Sequence, residues 1–169
     1  ADQALRINAF YEHLDNNRDQ YDGERFAINP TYSADLSDVT QLVLSYEYIN
    51  DDRVVDRGVP SVDNKPLQGV NKTFFGSPTL NFTTLEAHVL KGLIAHQLSE
   101  TWSINATLQY ADFNKLYQNL YPVNFDAVQN NVSLDGYKDI TERENLILQF
   151  NAVGQFDTGS IEHTLLVGA

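Results

Sequence analysis

Two stretches of this chain alternate apolar and polar residues with a period of two, and that alternation restricts the fold more than any other feature. From Trp102 to Tyr110, Trp102, Ile104, Ala106, Leu108 and Tyr110 fall on one face. Ser103, Asn105, Thr107 and Gln109 fall on the other. From Asn145 to Phe156, Leu146, Leu148, Phe150, Ala152, Gly154 and Phe156 share a face opposite Asn145, Gln149, Asn151 and Gln155, with Ile147 and Val153 as exceptions. Successive strand residues point to opposite sides of a sheet, so such a pattern specifies a strand between two unlike environments.

Three further segments carry the same signal. Leu42, Leu44, Tyr46 and Tyr48 oppose Gln41, Ser45 and Glu47. Phe26, Ile28, Pro30, Tyr32 and Ala34 oppose Arg25, Asn29, Thr31 and Ser33, although Pro30 has no N–H to give a ladder and counts against the strand or marks a bulge. Leu5, Ile7, Ala9 and Tyr11 fit a first strand. The segment 83–98 is ambiguous. Thr83 and Glu86 match a capping box, and Leu90, Leu93, Ile94 and Gln97 follow helical spacing, so local propensity leans to helix while the neighbouring strands argue for a strand.

Tight connections at Asp35–Asp38, Ser99–Thr101 and Asp157–Ser160 alternate with longer polar ones near 15–23, 50–82 and 113–140. Short turns at one end and long loops at the other describe an antiparallel up-and-down meander of about seven strands, the layout of an outer-membrane β-barrel with periplasmic turns and extracellular loops. Trp102 and Phe156 lie beside tight turns, and Tyr46, Tyr48 and Tyr110 lie toward the loop ends, as two interfacial girdles require. No apolar run is long enough for a membrane-spanning helix, a test that alternating strands escape. A soluble antiparallel sandwich also alternates and remains open on this pattern.

Charge and motif content exclude other classes. A net charge of −12 argues against nucleic acid, which needs clustered Lys and Arg. With no cysteine there is neither a disulfide framework nor a thiol nucleophile. No nucleophile elbow, zinc-protease motif, P-loop or dinucleotide fingerprint is present, so no enzyme is expected, no catalytic residue is assigned and no cofactor is called for. His88 and His96 would lie roughly 26 Å apart on one strand at about 3.3 Å per residue, too far to share a metal. Asp51, Asp52, Asp56 and Asp63 supply oxygen ligands in one loop, but Arg53 and Arg57 interrupt them, so no metal site is expected. Four glycosylation sequons, among them Asn81-Phe82-Thr83, carry no meaning in a bacterial barrel.

The segments Tyr46–Arg53, Asp56–Ser61, Lys65–Leu67, Thr73–Pro78, Gln109–Asp112, Tyr117–Pro122 and Gly159–Gly168 together resemble the TonB-dependent siderophore receptors, in particular their catecholate and ferrichrome-type branch. They keep the order expected of such receptors and cover most of the chain. The resemblance implies residues 1–169 as a partial barrel domain of a bacterial outer-membrane protein, with lipid on its outer face. It implies a ferric siderophore as ligand and the TonB complex as energy-transducing partner, engaged through parts outside this stretch, since no TonB-box-like or plug-like segment is found. A passive porin-like barrel and a soluble carbohydrate-binding β-sandwich are the competing functions.

Ferric siderophores suit aromatic and guanidinium side chains, the first by stacking on flat chelating groups, the second by attracting an anionic complex. In the loops that points to Arg53, Arg57, Phe74, Phe75, Tyr117 and Tyr121 as ligand-binding residues. The competing reading has Phe74 and Phe75 packing the loop on itself and the arginines pairing with nearby aspartates.

Overall fold

The computed structural model describes residues 2–169. Seven strands form one antiparallel sheet in strict chain order: β1 (Gln3–Asp15), β2 (Asp22–Ser37), β3 (Thr40–Val54), β6 (Phe82–Gln97), β7 (Trp102–Asp126), β8 (Asn131–Thr158) and β9 (Ile161–Gly168). A small hairpin of β4 (Ser61–Val62) and β5 (Lys65–Pro66) lies within the β3–β6 connection. Asp63 and Asn64 at its tip both have positive φ, the conformation a two-residue hairpin turn demands.

Every strand stands beside its neighbour in sequence, as a meander requires. The segment 83–98 is strand β6, not helix. It pairs with β3 and β7 along its whole length, and ladders on both edges outweigh a capping box and helical spacing that would leave those ladders unmade.

The sheet has two chemically distinct faces. One row across it reads Leu5, Tyr32, Leu44, Gly92, Leu108 and Leu148. The adjacent row, facing the other way, reads Arg6, Thr31, Ser45, Lys91, Gln109 and Ile147. No second layer covers the apolar face among the described residues, and Leu5, Leu146 and Leu148 are 64%, 72% and 72% exposed. The largest fully buried side chains are two asparagines, Asn81 and Asn119. A sandwich would bury those leucines against a second sheet. The sandwich alternative is therefore wrong for this chain.

The edge of the apolar face runs obliquely to the rows. In the row Ala9, Ile28, Tyr48, His88, Asp112 and Glu144, the first three positions are apolar or aromatic and the last two are acidic. On β7 and β8 the apolar face ends one row nearer the tight turns, at Tyr110 and Leu146. A flat boundary crosses the rows at a slant when strands are tilted to it, which is the geometry of a closed barrel in a membrane. The apolar run on β7, from Trp102 to Tyr110, also falls within the roughly 9–11 residues a tilted strand needs to span a bilayer.

The largest departure from expectation is the connection read as a loop near 113–140. It is a continuation of β7 and β8, paired from Phe113 to Asp126 and closed by a turn at 127–130. Beyond the apolar face, polar residues occur on both sides of this hairpin, so the hydropathy alternation fades while the backbone ladder continues. Its arm rises roughly 50 Å at about 3.3 Å per residue.

Pro30 sits inside a full-length strand without a bulge at that position. It faces Ile7 on β1, while on the other edge the register passes from Ile28–Tyr48 to Thr31–Ser45. The proline gives no N–H to the Tyr46 carbonyl opposite it. The Asn29 side-chain amide donates to that carbonyl instead, at 3.0 Å. Asn29→Leu is expected to cost about 1–3 kcal/mol by stranding the acceptor. In a Pro30→Ala background, where the backbone donor returns, the same change should cost little. Equal costs in both backgrounds, measured by denaturant titration, would remove this explanation.

Candidate functional site

Beyond the apolar face, at the loop end, the polar face of β7 and β8 carries a cluster of aromatic and cationic side chains. Tyr117, Asn119 and Tyr121 alternate along β7 onto this face, and Tyr137 on β8 stands opposite Asn119. Tyr117 and Tyr137 stack with centroids 5.7 Å apart, and Tyr121 meets Tyr137 edge-on at 6.5 Å. Arg57 comes in from the β3–β6 loop. Its Nη1 donates to the Tyr117 hydroxyl at 3.0 Å, and its guanidinium lies 5.8 Å from the centre of the Tyr121 ring. The Tyr117 hydrogen bond raises the Arg57 pKa further, so this exposed guanidinium stays cationic. Lys115 adds a second cation 5.6 Å from the Tyr117 ring.

Three of the six residues expected from sequence, Arg57, Tyr117 and Tyr121, thus come together. Tyr137 joins them unforeseen. The hairpin register puts it opposite β7, and a segment read as loop offered no register from which to place it. Arg53 points elsewhere. It shares Asp51 with Arg25, which bonds that carboxylate at 2.7 Å and approaches Glu12 at 3.8 Å. Glu12, Arg25 and Asp51 stand directly opposite one another on neighbouring strands, an ion-pair row on the polar face. Phe74 and Phe75 are half-buried in the β3–β6 loop and have no aromatic or cation–π partner among the described residues.

Of the loop aspartates, Asp56 has a partner that sequence did not offer. Asp56 pairs with Arg18, from the β1–β2 connection, through both carboxylate oxygens. The loop's far end is fastened by Asn81, which uses its whole hydrogen-bonding capacity. Its Nδ2 donates to the carbonyls of Val55 and Leu120 at 2.9 and 2.8 Å. Its Oδ1 accepts from the amides of Ser77 and Leu120 at 3.1 and 3.0 Å. A side chain so enclosed is no glycan acceptor. Its neighbour on β7, Asn119, is equally buried, and its amide finds no protein partner. His88 and His96 engage tyrosine and threonine: Tyr46 Oη at 2.7 Å and Thr40 Oγ1 at 2.8 Å.

No family model matches the chain. Among curated proteins it is 27% identical over 175 residues to the metal-pseudopaline receptor CntO of Pseudomonas aeruginosa, covering 99% of this chain and 24% of that protein. It is 29% identical over 158 residues to the probable TonB-dependent siderophore receptor PiuA of Acinetobacter baumannii, covering 86% of this chain and 21% of that one. The crystal structure of PiuA superposes with a TM-score of 0.81 at 25% identity, over 98% of this chain and 25% of the receptor. The ferripyoverdine-bound FpvA of P. aeruginosa superposes with a TM-score of 0.83 at 16% identity, over 98% and 23%. The relatives and structural neighbours are thus TonB-dependent siderophore and metal receptors, not enzymes, and this chain corresponds to a stretch of their barrel wall. It spans about a quarter of the length of the curated relatives it matches.

Proposed function

We propose that this stretch is part of the wall and ligand-binding rim of a bacterial outer-membrane receptor that takes up ferric siderophores. The apolar face lies against lipid, the tight turns face the periplasm, and the β3–β6 loop and β7–β8 hairpin rise outside the cell. The observation that carries the reading is the Arg57, Tyr117, Tyr121 and Tyr137 cluster. It sits on the polar face roughly 20–35 Å along β7 beyond the end of the apolar belt at Tyr110, at about 3.3 Å per residue, where a ligand descending toward the barrel would meet the wall. Tyrosine rings stack on flat chelating groups, and a fixed cation at their edge attracts an anionic metal complex. The relatives' names point to the same ligand class, since CntO is named for a metal–pseudopaline complex and FpvA was solved with iron-loaded pyoverdine. Transport energy would come from the TonB complex, acting on parts of the receptor outside this stretch.

The test uses the intact receptor in detergent, with ferric catecholate and ferric hydroxamate chelates titrated by fluorescence quenching. Arg57→Ala and Tyr117→Ala should each weaken the chelate that binds by about 10-fold, about the worth of one charge-assisted or stacking contact to the ligand. Arg53→Ala should leave it within about 2-fold, since its guanidinium serves the Asp51 row. A receptor that binds neither chelate, yet passes ions freely in a planar bilayer, would be a passive pore.

A further inference from the structure

Arg18 lies outside the tyrosine cluster, yet its contacts converge on the segment that delivers Arg57. Its Nε and Nη2 grip the Asp56 carboxylate, Nη1 donates to the Asn71 carbonyl at 2.9 Å, and Nη2 also donates to the Thr73 carbonyl at 2.9 Å. The neighbouring Asp19 amide donates to the Lys72 carbonyl at 2.8 Å. One side chain from the β1–β2 connection thus ties together the outgoing and returning limbs of the β3–β6 loop. Arg18 and Asp56 are also the least exposed ion pair in the described residues, with side chains 17% and 7% accessible. Water screens such a pair far less than the other charge pairs on this sheet.

The grip reaches Arg57 through the backbone. Asp56 Oδ1 accepts the Gly58 amide at 2.8 Å, closing a turn of which Arg57 is the middle residue, and Gly58 takes a φ of +87°. Arg57 is itself exposed, and among the described residues its side chain contacts Tyr117 and Tyr121 through one hydrogen bond and one cation–π contact, too little to hold a long side chain and its loop against conformational entropy. Its direction is set from behind.

We propose that Arg18 is a positioning residue for ligand binding: through Asp56 it orders the β3–β6 loop and points Arg57 onto the tyrosines. The inference rests on reading the Arg57–tyrosine cluster as the ligand site. A guanidinium is required, because a lysine ammonium has no planar fork to span a carboxylate and two carbonyls.

The test has two arms, both in the intact receptor. The first needs no ligand. A nitroxide is attached at Lys65→Cys on the loop, in a background without other cysteines, and its mobility is read by electron paramagnetic resonance. Arg18→Ala, Arg18→Lys and Asp56→Asn should each convert a restricted spectrum to a mobile one, while Arg57→Ala should not. The second arm measures binding of ferric iron presented with excess catechol. Arg18→Ala should weaken it by about 10-fold, and the Arg18→Ala/Arg57→Ala pair should bind no more weakly than Arg57→Ala alone, since a residue acting only through Arg57 adds nothing once Arg57 is gone. An unchanged spectrum in Arg18→Ala, or additive losses in the double variant, would overturn the proposal. If the unaltered receptor does not bind the catechol complex, the ligand reading fails on that count, and the spectra alone decide whether Arg18 orders the loop.

Discussion

Leu108→Arg lowers the stability of the barrel wall in a bilayer by about 2–4 kcal/mol, and Gln109→Arg, one residue on, leaves it nearly unchanged. Both positions lie within the Trp102–Tyr110 apolar stretch of β7, both flanked by β6 and β8. They differ only in the face they present. Leu108 is 52% exposed between Gly92 and Leu148 on the apolar side, where a guanidinium would meet hydrocarbon. Gln109 stands between Lys91 and Ile147 on the polar side, where water solvates a charge. Folding titrations into lipid vesicles measure both. The pair of variants separates a membrane wall from a sheet with water on its apolar side, which would tolerate arginine at Leu108 as well. Equal tolerance at the two positions would end the membrane reading, whatever the likeness to receptors.

The second large effect is expected at Asn81. Replacing it with leucine deletes four hydrogen bonds at a fully buried position and strands backbone groups of Val55, Ser77 and Leu120. Each stranded group costs about 1–3 kcal/mol, and some regain water as the loop loosens, so a net loss of about 3–5 kcal/mol is expected. The loss is local. Asn81 ties the base of the β3–β6 loop to β7 at Leu120, above the apolar belt, so hydrogen exchange should rise at Val55, Ser77 and Leu120 while amides from Trp102 to Tyr110 keep their protection. Asn81→Asp is a sharper probe. It keeps the size and the acceptor, but loses the two bonds donated to carbonyls and buries a charge. It should be at least as damaging as leucine, and a silent Asn81→Asp would contradict the bonding described.

These two positions also mark where sequence reasoning stops. Leu108 was legible from the start, because alternation is a local property. A strand between lipid and water must repeat every second residue, and five segments do. The tight turns were legible for a similar reason, since Asp, Ser and Gly clusters end a strand without reference to anything distant. Asn81 carries no such signal. Three of its four bonds reach 26 or 39 residues along the chain, and nothing in Asn81-Phe82-Thr83 tells a structural amide from a loop residue. Arg18 is the same case, 38 residues from the aspartate it holds.

The β7–β8 hairpin lies between these extremes. Its ladder continues to the tip with one register shift between Pro122 and Asn124, but beyond the apolar belt polar residues occur on both of its faces. The residues alternate in direction without alternating in chemistry, and a reading built on hydropathy took the segment for loop. A segment without hydropathy alternation carries no legible register, so Tyr137 has no place from sequence, whereas Tyr117 and Tyr121 stand out by residue type alone.

The sequence by itself determined five strands of the belt, their faces and the ends that turn tightly. All of these follow from the period of two and from the residues at its interruptions. Only the tertiary structure decided that 83–98 is a strand, that Arg57 and not Arg53 reaches the tyrosines, and which side chains hold the loop. Those outcomes depend on register between strands and on hydrogen bonds between segments far apart in the chain, and a local pattern carries no information about either.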